Sequence, residues 1–159
     1  MSNITQSRVP AQVDVRGPRF VAWVTTAVLV ATLLVSTESA VAAAVILGVQ
    51  AIVFAVGATL GPQRHPYGLV FKALIAPRLG PVTEREPVPP LKFAQLVGFI
   101  FAVVGVIGFA SGLVLLGLIA TGFALAAAFL NAAFAICLGC QLYPLVARFR
   151  KNPSTPSPA

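Results

Sequence analysis

The sequence predicts an all-α, polytopic membrane protein with four transmembrane helices and a short cytoplasmic interfacial helix between the second and third. Three observations lead there. The chain of 159 residues is 58% hydrophobic and only 9% charged, with a mean hydropathy of +0.93. Soluble domains run near ~45–50% apolar and about 25% charged, so this chain has too little charge to cover a water-soluble surface. Its apolar residues fall in runs long enough to cross a bilayer, which takes roughly 20 residues, and its basic residues lie only outside those runs.

Residues 1–19 form a cytoplasmic N-terminal tail carrying Arg8, Arg16 and Arg19, and residues 20–147 form a single four-helix transmembrane domain. The spans are expected near 20–37, 40–60, 93–110 and 113–143. Glu38 separates the first two, and Ser111-Gly112, small residues that favour a turn, separate the last two. Residues 148–159 form a cytoplasmic, Pro/Ser-rich, disordered tail. The Asn3-Ile4-Thr5 sequon has no meaning on a cytoplasmic segment.

Lys and Arg stay on the cytoplasmic side of a membrane protein. The N-terminal tail, the segment 61–92 (Arg64, Lys72, Arg78, Arg85, Lys92) and the C-terminal tail (Arg148, Arg150, Lys151) hold every basic residue, while the two short connections hold none. Four spans put all three basic segments on one face, so both termini are expected in the cytoplasm of a multi-pass cell-membrane protein. Arg16, Arg19, the apolar run from Phe20 and Ala40-Val41-Ala42 also fit a cleaved signal peptide, which would leave three spans. The run is long for a signal and leads straight into another span, which favours retention.

Within segment 61–92, Tyr67–Ile75 is apolar but too short to span, and is expected in the interface with Lys72 snorkelling and Pro77 ending it. The following PVTEREPVPP, residues 81–90, predicts an extended, polyproline-like connector. Gly98, Gly105, Gly108 and Gly112 in the third span, with Gly57 and Gly61 in the second, make small faces for helix packing within the bundle or for a homodimer.

Cys137 and Cys140 (CLGC) carry the sharpest chemistry. Counted from Leu113, Cys137 lies roughly 36 Å along the last span, at the cytoplasmic interface. Spacing of three suits reversible disulfide chemistry or two ligands for a soft metal, with His65 a third candidate ligand. Read as the end of a helix, the site opposes thiolate formation, and Pro144 is expected to kink or stop the helix there. Cys is also simply a compact apolar residue that packs well. The absence of Asp and Glu from the spans argues against a proton-coupled carrier. No cofactor is called for, and no basic stripe interleaved with aromatics points to nucleic acid; the lipid bilayer is the partner that composition demands.

DVRGPRF before the first span, HPYG through PRLGP after the second, FAQLVG opening the third and ATGFALAAAFLNAAFAICLGCQLY at the end together resemble the bacterial membrane family DUF4395. Asn131, Cys137, Gly139, Cys140 and Tyr143 match its most specific segment. The resemblance transfers no reaction. It implies sulfur or redox chemistry at the cysteines beside a thioredoxin-like or sulfurtransferase partner. Three functions follow: an accessory to thiol-disulfide or persulfide chemistry, a non-enzymatic bundle for assembly or lipid interaction, or a soft-metal binder.

Overall fold

The computed structural model describes residues 11–150. The sequon, Arg8, Lys151 and the Pro/Ser-rich tail lie outside the described residues. A short strand β1 (Gln12–Asp14) leads into α1 (Arg16–Ser36) and α2 (Ala40–Leu60). A connecting segment follows, with α3 (Pro66–Val70), a π turn (Phe71–Ile75), a 3-10 turn (Ala76–Arg78) and strand β2 (Arg85–Pro87). Then come α4 (Val88–Ala110), α5 (Val114–Phe134) and α6 (Leu138–Arg150). By length and composition α1, α2, α4 and α5 can each cross a membrane. They form a closed ring in which α1 packs on α2, α2 on α4, α4 on α5, and α5 on α1.

The helix starts explain themselves chemically. Ser39, in extended backbone, accepts the amide of Ala42 at 3.2 Å and so caps α2. Pro89 and Pro90 fall in the first turn of α4, where a missing N–H costs nothing. The expected extended course of 81–90 therefore ends at Pro87, and the third span starts at Val88 rather than near 93. The first likewise starts at Arg16 rather than 20. Ser111 and Gly112 break the chain as expected, with Gly112 at φ +78°.

Lipid tails are as apolar as leucine, so burial alone does not hold such helices together; close contact and internal hydrogen bonds do. A Cβ on Gly108 would stand 2.5 Å from the backbone nitrogen of Gly117, so α4 and α5 touch backbone to backbone. One on Gly105 would meet Leu47 at 2.5 Å, and one on Gly98 would meet Phe54 at 2.9 Å. Gly98, Gly105 and Gly108 are thus engaged with α2 and α5, whereas a Cβ on Gly112 would meet nothing within 4 Å. Thr26, Thr32 and Thr121 return their hydroxyls to carbonyls four residues back, which lets them sit buried. Leu34, Val41, Val45, Ile52 and Leu115 cover the outside, an apolar exterior suited to lipid.

The bundle has two unlike ends. One carries the turns at 37–39 and 111–113. The other gathers the N-terminal strand, segment 61–87 and α6. There β1 pairs antiparallel with β2, Val13 opposite Glu86, and Asp14 accepts from Arg16 in an ion pair of 2.8 Å. Arg16 also donates to the Gly80 carbonyl at 3.2 Å, which ties the connecting segment down. That segment enters the bundle: His65 and Phe71 are buried, and Tyr67 donates to Gln50 at 2.8 Å.

The largest departure from the sequence expectation is at the last span. It ends at Phe134, not near 143. Ala135 adopts the left-handed region at φ 56°, and the amide of Ile136 returns to the Leu130 carbonyl, which closes α5. A new helix then begins. Pro144 lies inside α6 and does not end it.

Candidate functional site

The break at Ala135 reverses the electrostatics expected at the cysteines. Cys137 immediately precedes α6, and its Sγ accepts the amide of Cys140 at 3.3 Å, as a capping side chain does. The sulfur therefore sits at a helix N-terminus, where partial positive charge favours an anion. Cys137 and Cys140 are joined as a disulfide with Cα atoms 5.1 Å apart, inside the ordinary range of ~4.4–6.8 Å. Only Cys140 belongs to α6; Cys137 immediately precedes it.

Gly139 fixes α6 in place. A Cβ there would stand 2.5 Å from the Cα of Ala94, so α6 rests directly on the α4 backbone, and Tyr143 meets Phe93 edge-on at 6.1 Å. Leu138, Leu142, Leu145 and Phe149 recur on a second face of α6 and are exposed.

Two spaces border the disulfide. An outer cleft of about 320 Å³ is lined by Cys137, Cys140 and Gln141 together with Glu86, Pro87, Pro90 and Ala135. Burial and the neighbouring Glu84 carboxylate hold the Glu86 carboxyl above the usual carboxylate range, against the opposing pull of Arg19. An inner cavity of about 260 Å³ lies between α1, α4, α5 and α6, and Cys137, but not Cys140, lines it. His65, Gln95 and Asn131 bring polar groups to the same cavity.

His65 is only 1% exposed, and neither ring nitrogen has a partner in hydrogen-bonding geometry. Burial pushes its imidazole down to about 4, against a smaller opposing pull from the Gln95 side chain beside it. Gln95 Oε1 is likewise buried without a partner. His65, which the sequence offers only as a third candidate ligand, stands just before α3 and is buried. Gly57 makes the room, since a Cβ there would stand 2.6 Å from the imidazole and 2.9 Å from Gln95.

His65 and Cys137 thus share a cavity, as a common metal site would require. Among the described residues, however, no three His, Cys, Asp or Glu side chains are grouped to hold an ion. Of the candidates the sequence offers, the structure brings Cys137 and Cys140 to the outer cleft and Cys137 and His65 to the inner cavity. The sequence reasoning missed Gln95 and Glu86 as cavity and cleft residues, because their roles depend on contacts between distant segments.

The family model described as a domain of unknown function, DUF4395, matches residues 13–148. The chain belongs to that family, as its motifs led one to expect. No curated protein and no solved structure matches the chain.

Proposed function

We propose that this family member is a cell-membrane protein with both termini in the cytoplasm, and that Cys137 and Cys140 exchange a disulfide with a cytosolic thioredoxin-like or sulfurtransferase partner. The observation that carries this is the disulfide at the start of α6, bordered by a cleft on the same end of the bundle as the described basic residues. Basic residues mark the cytoplasmic face, so the cleft opens toward cytosolic thiols.

The chemistry follows from the helix start. A partner thiolate attacks Cys140 Sγ from the cleft. The S–S bond breaks, a mixed disulfide forms on Cys140, and Cys137 leaves as a thiolate stabilised by the N-terminus of α6. A better-stabilised leaving thiolate leaves faster, so attack is directed to Cys140. With a thioredoxin-like, dithiol partner, the second thiol then resolves the mixed disulfide, Cys140 leaves as a thiolate, and the proton can pass to the Glu86 carboxylate, whose raised proton affinity suits it to accept.

Trapping tests this. A purified thioredoxin lacking its resolving cysteine, mixed with the oxidised wild-type protein, should accumulate a mixed disulfide on Cys140 and leave Cys137 as a free thiol. Absence of any adduct on either cysteine of the oxidised protein would overturn the proposal. Reporters fused after Arg150 and within residues 82–90 should report cytoplasm, and one at Thr37 the outside.

A further inference from the structure

The inner cavity has no role in exchange with a soluble partner, yet it is built as a site. Its wall is mostly apolar: Val21, Phe54, Leu91, Val97 and a run of alanines on α5. Phe101 and Phe123 stack with centroids 5.9 Å apart, and Phe123, 61% exposed, opens the cavity onto the outer flank of the bundle where lipid lies. Its polar lining includes His65, almost wholly buried, and the Gln95 side chain beside it, and neither the imidazole nitrogens nor the Gln95 carbonyl makes a hydrogen bond of good geometry. Buried polar groups are ordinarily hydrogen-bonded, so a buried imidazole with no partner calls for one. A cavity of ~150 Å³ takes benzene, so about 260 Å³ takes a substituted six-membered ring.

We propose that this cavity binds the headgroup of a membrane quinone, with His65 donating to a carbonyl oxygen, the Gln95 carbonyl placed to accept from the hydroxyl of the quinol, and Cys137 at its edge, and that the quinone reoxidises the cysteine pair. The second half rests on the thiol-exchange reading above; the binding half does not. The ligand must be apolar enough to arrive from the lipid, ring-shaped, and able both to accept and to donate a hydrogen bond. A neutral imidazole has one N–H and one bare nitrogen, so it can donate to a quinone carbonyl and accept from a quinol hydroxyl. Burial keeps His65 in that neutral form.

The reaction balances without a further reagent. The two thiols of Cys137 and Cys140 lose two protons and two electrons as the S–S bond forms. The quinone gains both, and its two C=O groups become C–OH. Protein dithiols lie below quinones in potential, so electrons run from thiol to quinone. Because Cys137 lines both spaces and Cys140 only the outer one, the disulfide is a partition crossed by electrons and not by either substrate.

The test uses the full chain in nanodiscs with duroquinone, and with durene, the same ring without carbonyls. Oxidised protein should bind duroquinone about tenfold more tightly than durene, the worth of one or two hydrogen bonds. His65→Phe should lose that preference, His65→Gln should keep much of it, and Ala127→Phe should block both ligands by filling the cavity. Reduced protein without oxygen should form one disulfide and one duroquinol per turnover. Equal binding of durene, or no binding, overturns the proposal while the mixed disulfide with thioredoxin still forms. Binding without reoxidation overturns the electron transfer. Reoxidation without any thioredoxin adduct leaves the quinone site standing and removes the thiol-exchange reading.

Discussion

The two ends of this bundle are made of the same helices and solve different problems. At the turn end, three-residue connections join α1 to α2 and α4 to α5, and glycine against glycine brings α4 and α5 into backbone contact. At the basic end the helices part around a cavity, buried polar groups lack partners, and the chain adds a strand pair and α6. Close packing holds the first end together; the second gives up packing for space and chemistry. Function is drawn from regions that are less well satisfied; among the described residues His65 and Gln95 put such groups at this end, and Gln50 Nε2 adds one midway along α2.

The largest expected effect breaks the turn end. Gly108→Leu should destabilise the bundle by about 3 kcal/mol, because the added atoms meet backbone that cannot swing aside. Gly122→Leu, where a Cβ meets open space on α5, should change stability by less than about 0.5 kcal/mol. Thermal unfolding in detergent compares them. Equal losses would mean that α4 and α5 do not approach as described.

The next effect belongs to the basic end and depends on pH. The His65 imidazole is lowered from 6.5 to about 4, so the folded protein binds fewer protons than the unfolded chain between those values. Its contribution is complete above 6.5 and is lost as pH falls toward 4. The full loss is about 3 kcal/mol at most. Unfolding midpoints measured across this window should fall with pH, and His65→Phe should flatten the slope. A wild-type slope unchanged by that substitution would mean that His65 is not buried neutral.

Gly139→Val should separate α6 from Ala94 at a cost of about 1–2 kcal/mol, while the four spanning helices remain folded. Helicity should stay nearly constant and the cysteines should alkylate faster. Cooperative loss of the whole bundle would show that α6 is part of the packed core.

Ala135→Gly gives the smallest change and the most telling sign. A left-handed alanine costs about 1 kcal/mol that glycine avoids, so the variant should gain about that much stability. Were α5 continuous through Cys140, the same substitution would cost about 1 kcal/mol instead.

The spans were legible in the sequence because they are apolar on all sides and the charges between them are not. The turn at Ser111-Gly112 announced itself by residue type. The break at Ala135 did not: Ala-Ala-Phe-Ala-Ile reads as uninterrupted helix, with neither glycine nor proline at the left-handed position. The available clue lay just beyond, where apolar residues narrow to Leu138, Leu142, Leu145 and Phe149. Missing that change of pattern put the cysteines at the wrong end of a helix dipole. The pairing of Gln12–Asp14 with Arg85–Pro87 was out of reach for another reason, since three residues on each side carry no readable period. His65 was hidden because its burial depends on Gly57 and Gln95 from two other segments.

The most direct test concerns the helix that begins at the cysteines. Reduced protein in nanodiscs at neutral pH, alkylated for short times and mapped by mass spectrometry, should label Cys137 well before Cys140. Cys137 caps α6 and its sulfur takes the favoured negative charge; Cys140 lies one turn inside. If both thiols resist the reagent until the protein is denatured, they are buried packing residues and the account is contradicted.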